Sequence, residues 1–261
     1  MNYKRVVFCA LFLGLIFSPV FLQAQQRYFM GKRSFDSDIK IGLKAGVNFA
    51  KMTYSDNRIA DLDQVFKARP IIGATVEIPL TKVFSISPEV LIVGRGTYTQ
   101  YDNSNGISET YSIKSNHIDL RVPVLINIPI NGKNRFYVYV APDIAFRIGG
   151  NISVVTSNVN NQGNKQADVS KSNMALTSFG LIGGGGCRFN IPVTKNFYLV
   201  ARVELGYNHG LIDTFSDMEK DGSTTPININ SYDIQGTRTH RGIEAAVVLS
   251  IPLDKGEAFC R

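Results

Sequence analysis

The sequence predicts an all-β fold, an eight-stranded antiparallel up-and-down transmembrane β-barrel with short periplasmic turns on one rim and long extracellular loops on the other. Three observations predict it. First, eight runs alternate apolar and polar residues with period two, the signature of a strand with two different faces. Second, a turn recurs as Ile78-Pro79-Leu80-Thr81-Lys82, Ile128-Pro129-Ile130-Asn131-Gly132-Lys133, Ile191-Pro192-Val193-Thr194-Lys195 and Ile251-Pro252-Leu253-Asp254-Lys255, at intervals of 50, 63 and 60 residues. A repeat at such a period marks one supersecondary unit used several times, here a hairpin. Third, the connections alternate between these short turns and long polar stretches, as in barrels that cross a membrane.

The elements follow in order. Residues 1–24 read as a cleavable secretory signal peptide, with Lys4 and Arg5 as the positive region, Val6 to Phe17 as the apolar core and Leu22-Gln23-Ala24 before the cut. The apolar core is short for a helical membrane span of about 18 residues or more. Residues 25–38 form a polar lead-in, 39–253 the barrel and 254–261 a tail. The first strand covers about 39–50, with Ile41, Leu43, Ala45, Val47 and Phe49 on one face and Lys40 and Lys44 on the other. The second, 69–79, opposes Ile72, Ala74, Val76 and Ile78 to Glu77. The third, 83–98, opposes Phe84, Ile86, Val90 and Ile92 to Glu89 and Arg95. The fourth, 115–128, has Ile118, Leu120, Val122, Val124, Ile126 and Ile128 against His117, Asp119, Arg121 and Asn127. The fifth, 135–149, sets Phe136, Val138, Val140, Ile144, Phe146 and Ile148 against Tyr137, Tyr139, Asp143 and Arg147. In the sixth, 176–191, Cys187, Phe189 and Ile191 oppose Gly184, Gly186 and Arg188. In the seventh, 197–208, Val203, Leu205 and Tyr207 oppose Arg202 and Glu204. In the eighth, 238–251, Ile243, Ala245, Val247 and Leu249 oppose Glu244 and Ser250. Between these strands lie four expected long loops, 51–68, 99–114, 150–175 and 209–237.

The faces decide between a soluble sandwich and a membrane barrel. One face of every strand is almost purely aliphatic, as a lipid-facing band requires. The other carries Lys40, Lys44, Glu77, Glu89, Arg95, Asp119, Arg121, Asp143, Arg147, Arg188, Arg202, Glu204 and Glu244. Six acids against seven bases is nearly neutral, as expected of charges packed together inside a barrel just wide enough for side chains to fill. That network also argues against a diffusion pore. Phe84, Phe136, Phe189 and Phe197 fall at the short-turn rim, where an aromatic girdle belongs. Pro88, Pro123 and Pro142 fall inside strands and predict bulges, because proline removes a ladder hydrogen bond.

Composition bounds the function. With 44% hydrophobic and 19% charged residues and 23 glycines, the 261-residue chain is too apolar for disorder and too interrupted for helical spans. The formal charge of +7 falls to +5 without Lys4 and Arg5, and its scattered bases do not predict nucleic acid as a partner. Cys187 and Cys260 remain after the signal peptide, and their pairing is left open. Gly180-Leu181-Ile182-Gly183-Gly184-Gly185-Gly186 mimics a phosphate loop, but a strand follows it rather than a helix, so it reads as a wall leaving room for long lumen side chains. Asp217-Met218-Glu219-Lys220-Asp221-Gly222 mimics a calcium loop whose twelfth position is Asn228, not an acid, and reads as a surface loop. His209, with Asp213 and Thr214 following, and His240 beside Thr239 are expected near the loop rim on adjacent strands, where a nucleophile-plus-base site is conceivable. His117 is expected in the lumen or rim hydrogen-bond network. No catalytic, cofactor-binding or metal-binding residue is assigned.

Three segments carry a family resemblance. Ile41-Gly42-Leu43-Lys44-Ala45-Gly46-Val47-Asn48 resembles the opening strand, His117-Ile118-Asp119-Leu120-Arg121-Val122-Pro123-Val124-Leu125 the central strand, and Ala201-Arg202-Val203-Glu204-Leu205-Gly206-Tyr207-Asn208 the penultimate strand of the small outer-membrane β-barrel family that includes the PorT-type secretion proteins. The resemblance covers about 39–251. It implies residence in the outer membrane of a Gram-negative bacterium, contact with outer-membrane lipid, and no shared catalytic residue. The expected role is non-enzymatic: binding, assembly or envelope structure through the loops, in a monomer with envelope or secretion-machinery partners. A PorT-type secretion accessory and a lipid-modifying enzyme are the alternatives.

Overall fold

The computed structural model describes residues 38–54, 63–102, 108–130, 134–158, 161–168, 174–193, 197–212 and 238–253. The expected signal peptide, the acidic stretch Asp217–Gly222, Cys260 and the tail lie outside them. The strands are β1 Lys40–Tyr54, β2 Asp63–Pro79, β3 Phe84–Ile86, β4 Glu89–Asp102, β5 Ser108–Arg121, β6 Val124–Ile130, β7 Asn134–Asn158, β8 Asn161–Asp168, β9 Thr177–Pro192, β10 Tyr198–Gly210 and β11 Arg238–Pro252. All pairings are antiparallel. The path β1-β11-β10-β9-β7-β5-β4-β2 closes on itself through β1 and β2, giving a wall eight strands around. Closure leaves no open sheet edge within the ring, the condition for β-structure in lipid.

Alternation divides the wall. In β10, Val203, Leu205 and Tyr207 are exposed outward while Arg202, Glu204 and Asn208 are buried inward, and β1, β7 and β11 behave alike. The outward aliphatic band is bounded by aromatics at both ends. Phe84, Phe136, Phe189 and Phe197 are exposed at the turn rim, and Phe49, Phe66, Phe146 and Tyr207 at the loop rim. Phe136 and Phe146 on β7 are ten residues apart, as are Phe197 and Tyr207. Ten residues at about 3.4 Å each, tilted by about 40°, span about 26 Å, close to the height of a barrel's apolar band. One expected lipid-facing residue departs from the pattern: Ile86, beside the break at Ser87 and Pro88, is buried.

The three prolines fall in one seam. Pro88 separates β3 from β4 and Pro123 separates β5 from β6, while the alternation of faces carries through both gaps. The register sets these breaks side by side: Ile86 pairs with Val124 on one side of the gap, and Glu89 with Arg121 on the other. Val124 pairs with Val140 and Arg121 with Asp143, so Pro142 lies opposite the same gap and β7 continues without interruption. Neighbouring strands thus share one missing rung. Backbone bonds from Val76 N to Pro88 O and from Ser87 N to Pro123 O bridge it at 3.0 and 2.8 Å.

The long-loop expectation needs correction. The stretches 51–68, 99–114 and 150–175 are largely strand: β1 continues to Tyr54, β2 starts at Asp63, β4 runs to Asp102, β5 starts at Ser108, and β7 continues to Asn158 and turns back as β8. Above the lipid both faces meet water, so the apolar alternation that marks a strand disappears while the backbone ladder goes on. β-branched and aromatic residues, as in Thr97-Tyr98-Thr99-Gln100-Tyr101, are the sequence trace of it. The result is a sheet of β2, β4, β5, β7 and β8 standing beyond the rim on one side. A register shift at Asn116/His117 and Gly150, with φ +150, mark where β7 leaves the barrel.

The glycine run in β9 forms barrel wall. Tyr137 pairs with Gly186 and Tyr139 with Gly184, and a Cβ at Gly186 would collide with the Val203 carbonyl and the Tyr137 hydroxyl. Gly183, on the outward face, has nothing within 4 Å of the same position. Gly186→Ala should therefore lower stability by about 1–3 kcal/mol through overpacking, while Gly183→Ala should be silent. Val203→Arg, which puts charge in lipid, should cost about 2–4 kcal/mol near the midplane, and Val203→Thr should be milder. Urea unfolding in bilayers followed by heat-modifiable gel mobility reads all four.

Candidate functional site

Inward-facing charges meet inside the ring. Lys40, Lys44, Glu77, Glu89, Arg95, Asp119, Arg121, Asp143, Arg188, Arg202, Glu204 and Glu244 are all buried. Six are acids and six are bases, so the set is formally neutral. Arg147 stands apart, half-exposed at the rim with Asp168 as its neighbouring charge, because β7 rises above the barrel there.

The pairs cross the lumen. Arg121 on β5 donates from both terminal nitrogens to Glu244 on β11 at 2.7 and 2.9 Å, and those strands are four places apart in the ring of eight, hence diametrically opposed. Arg188 on β9 donates to Glu77 on β2 at 2.6 Å, again across the full diameter. Near the turn rim Glu77 also meets Arg202 at 3.2 Å and Lys40 at 3.9 Å. One level higher, Lys44 bridges Glu89 at 3.0 Å and Glu204 at 2.8 Å, and Glu204 accepts from the Tyr137 hydroxyl. Towards the loops, Arg95 joins Asp119 and Asp143 at 2.7 and 2.8 Å, and Arg121 contacts the same two acids. The turn-side group holds four bases and three acids and the loop-side group two bases and three acids. Their opposite unit charges attract, with Tyr139 between them.

Above the plug sits a cavity of about 20 Å³, lined by Met52, Arg95, Thr97, Ser115, His117 and His240 among others. This volume admits about one water molecule. His117 Nδ1, His240 Nε2, Thr97 Oγ1 and Ser115 Oγ are buried without a protein hydrogen-bond partner. His209 is not part of this site. It faces outward and stacks on Tyr207 at 6.5 Å, whereas His240 points into the lumen, so the two imidazoles lie on opposite faces of the wall. The expected convergence of His209 and His240 is thus overturned, because alternation puts residues of opposite parity on opposite faces. Asp213 and Thr214 lie outside the described residues. Among the described residues no group of three or more His, Cys, Asp or Glu side chains is placed to hold a metal ion.

Sequence reasoning missed the apolar side of the lumen. Ile71, Leu91 and Val93 form a buried cluster beside the charges, and Ile113 and Ile152 are buried at the loop end. The parity that placed Glu89 and Arg95 inward places Leu91 and Val93 with them.

The chain matches the model of the family described as outer membrane protein beta-barrel domain over residues 23–216. Among solved structures it is similar to the outer membrane protein OprG from Pseudomonas aeruginosa, with 8% identity, 83% of this chain and 93% of that one covered, and a TM-score of 0.42. It is also similar to the Neisserial surface protein A, with 11% identity, 80% and 96% covered and a TM-score of 0.36. The outer membrane protease OmpT from Escherichia coli aligns with 12% identity, 85% and 97% covered and a TM-score of 0.35. No curated protein matches the chain by sequence.

The network ranks its members. Glu77→Leu takes a carboxylate from three buried bases, of which Arg202 keeps Glu204, and leaves Arg188 without one among the described residues, so it should cost about 3–5 kcal/mol. Glu204→Leu should cost less, since Lys44 keeps Glu89 and Arg202 keeps Glu77. Glu244→Leu should be the mildest, because Arg121 retains Asp119 and Asp143. Urea midpoints in a common lipid give the order, and a tolerated Glu77→Leu would contradict it.

Proposed function

This chain belongs to the outer membrane protein β-barrel family, and from that premise we propose that it is a non-enzymatic binding scaffold whose extracellular sheet contacts a protein or glycan partner in the envelope. The observation that carries the reading is a division of labour in the wall. Ion pairs span the lumen, which weighs against a diffusion pore, while β2, β4, β5, β7 and β8 extend beyond the loop-side aromatics, further than lipid requires. Segments on a rigid scaffold are where binding residues concentrate. The opposed orientation of His209 and His240 favours the non-enzymatic reading over a lipid-modifying enzyme. In this proposal the chain is exported through a signal peptide cleaved after Ala24, contacts outer-membrane lipid, acts as a monomer and binds no nucleic acid.

A narrower reading is a PorT-type accessory of protein secretion. It rests on the three strand motifs 41–48, 117–125 and 201–208, which describe barrel geometry more than activity. Its partner would sit at the periplasmic rim.

A photo-crosslinking residue at Asp168, on the outer sheet, or at Lys82, on a short turn, separates the two readings in intact cells. Adducts from position 168 are expected; adducts from position 82 alone would favour the secretion accessory. An impermeant thiol reagent should label Asp168→Cys and spare Lys82→Cys in a background that carries Cys187→Ser and Cys260→Ser. The reverse pattern would invert the barrel. Lipid A from a deletion strain should keep its mass profile, and a changed profile would favour the enzyme.

A further inference from the structure

Charge on the outer surface is distributed unlike charge in the lumen. Of the acids whose side chains are described, only Asp38 and Asp168 lie outside the lumen network. At the loop rim a group of bases reaches the outward face of the wall. Lys67 and Arg69 of β2 lie over Gly96 and Gly94 of β4, where a Cβ would meet the Lys67 Cδ at 3.4 Å and the Arg69 Cβ at 2.7 Å. The two glycines open a path along which both side chains reach β5. There Lys67 Nζ donates to Ser112 Oγ at 2.7 Å and Arg69 donates to Asn116 Oδ1 at 2.9 Å, both neutral partners. Lys114 lies between Ser112 and Asn116 on the same face of β5. Partial burial and the positive charges of Lys114 and Arg69 all act against the Lys67 ammonium. Among the described residues no acid pairs with Lys67, Arg69 or Lys114, and the buried Arg69 Nε has no partner. The run continues around the barrel: Lys51 stands over the Phe66 ring at 4.8 Å and is paired in register with Arg241.

The height of this run is informative. Lys51 lies two residues beyond Phe49, Arg241 two beyond Ile243 on its strand, and Lys114 four beyond Ile118, which is paired with Phe146. Lys51, Arg241 and Lys114 sit just past the apolar band, at the level of the headgroups, and Lys67 and Arg69 lie at its upper edge, one and three residues to the membrane side of Phe66. Like charges held together without counter-charge disfavour the free surface, and an anion relieves them. Charged amines and guanidinium groups recognise phosphate oxygens with short, charge-assisted hydrogen bonds.

We propose that Lys67, Arg69 and Lys114, extended by Lys51 and Arg241, form a docking surface for the phosphorylated saccharide headgroup of an outer-leaflet glycolipid of the lipid A class. This rests on the reading in which the loop rim faces outward. The flanking aliphatic wall takes the acyl chains and the bases take the phosphates.

Native mass spectrometry of the refolded barrel in detergent, titrated with bisphosphorylated lipid A, tests it. Lipid A should be retained, lipid A stripped of its phosphates should not, and inorganic phosphate exchanged for chloride at constant ionic strength should fail to displace the lipid. Lys67→Gln with Lys114→Gln should weaken retention about tenfold or more, Lys67→Arg with Lys114→Arg should preserve it, and Lys82→Gln on the opposite rim should change nothing. Equal retention of the dephosphorylated lipid, or no loss in the glutamine pair, would overturn the proposal. Displacement by inorganic phosphate alone would also overturn it, in favour of a free-phosphate site. Heat-modifiable mobility checks folding; if the glutamine pair fails to fold, retention by the unaltered barrel must fall as salt rises, and a flat salt response counts against the site. Failure here with Asp168→Cys still labelled from outside refutes the docking surface alone, whereas loss of that labelling refutes the orientation.

Discussion

Everything in this molecule depends on pairing the charges that ring closure buries. A closed wall of eight strands has an interior only wide enough for side chains. Any ionised group pointing inward loses its water and must find a counter-charge, because an unpaired buried charge is strongly destabilising. Among the described residues six acids and six bases meet that condition with pairs that reach across the diameter, so that set braces the interior and is itself neutral. The same residues fill the lumen, and the outer surface is left as the place where partners and lipid can be met.

The wall is shaped to admit this plug. Glycines at 184 and 186 face inward, and Tyr137 and Tyr139 lie over them, which places the Tyr137 hydroxyl on Glu204. The glycine run is therefore a steric device of the barrel. A second pair of glycines, Gly94 and Gly96, plays the matching part on the outer face, where Lys67 and Arg69 pass over them. In both places the missing Cβ lets a long side chain lie flat against the wall and reach a partner on another strand.

Proline and polarity explain the departures from a regular barrel. Pro88, Pro123 and Pro142 cannot donate to the ladder, and the fold groups them opposite a common gap so that the cost falls at one place. Beyond the loop-side aromatics the strands continue into water. Strand pairing there is sustained by the backbone, which is why stretches that read as polar loops extend the sheet.

The sequence by itself determined the fold class and the two faces of the strands, because a period of two and a lipid–lumen contrast are written residue by residue. It also carried the three short turns, through three of the four copies of Ile-Pro, the fourth ending the last strand. Only the tertiary structure decided which acid meets which base. Arg121 and Glu244 are 123 positions apart in the chain, and their meeting depends on ring order and strand stagger, which no local pattern encodes. It separated Arg147 from the network, because the height at which β7 leaves the barrel depends on its neighbours. It set His209 and His240 on opposite faces of the wall, since proximity in register says nothing of facing until parity is applied across both strands. It brought Lys67, Arg69 and Lys114 together as well: they come from β2 and β5, separated by β4, and only Gly94 and Gly96 on that intervening strand let them share one surface.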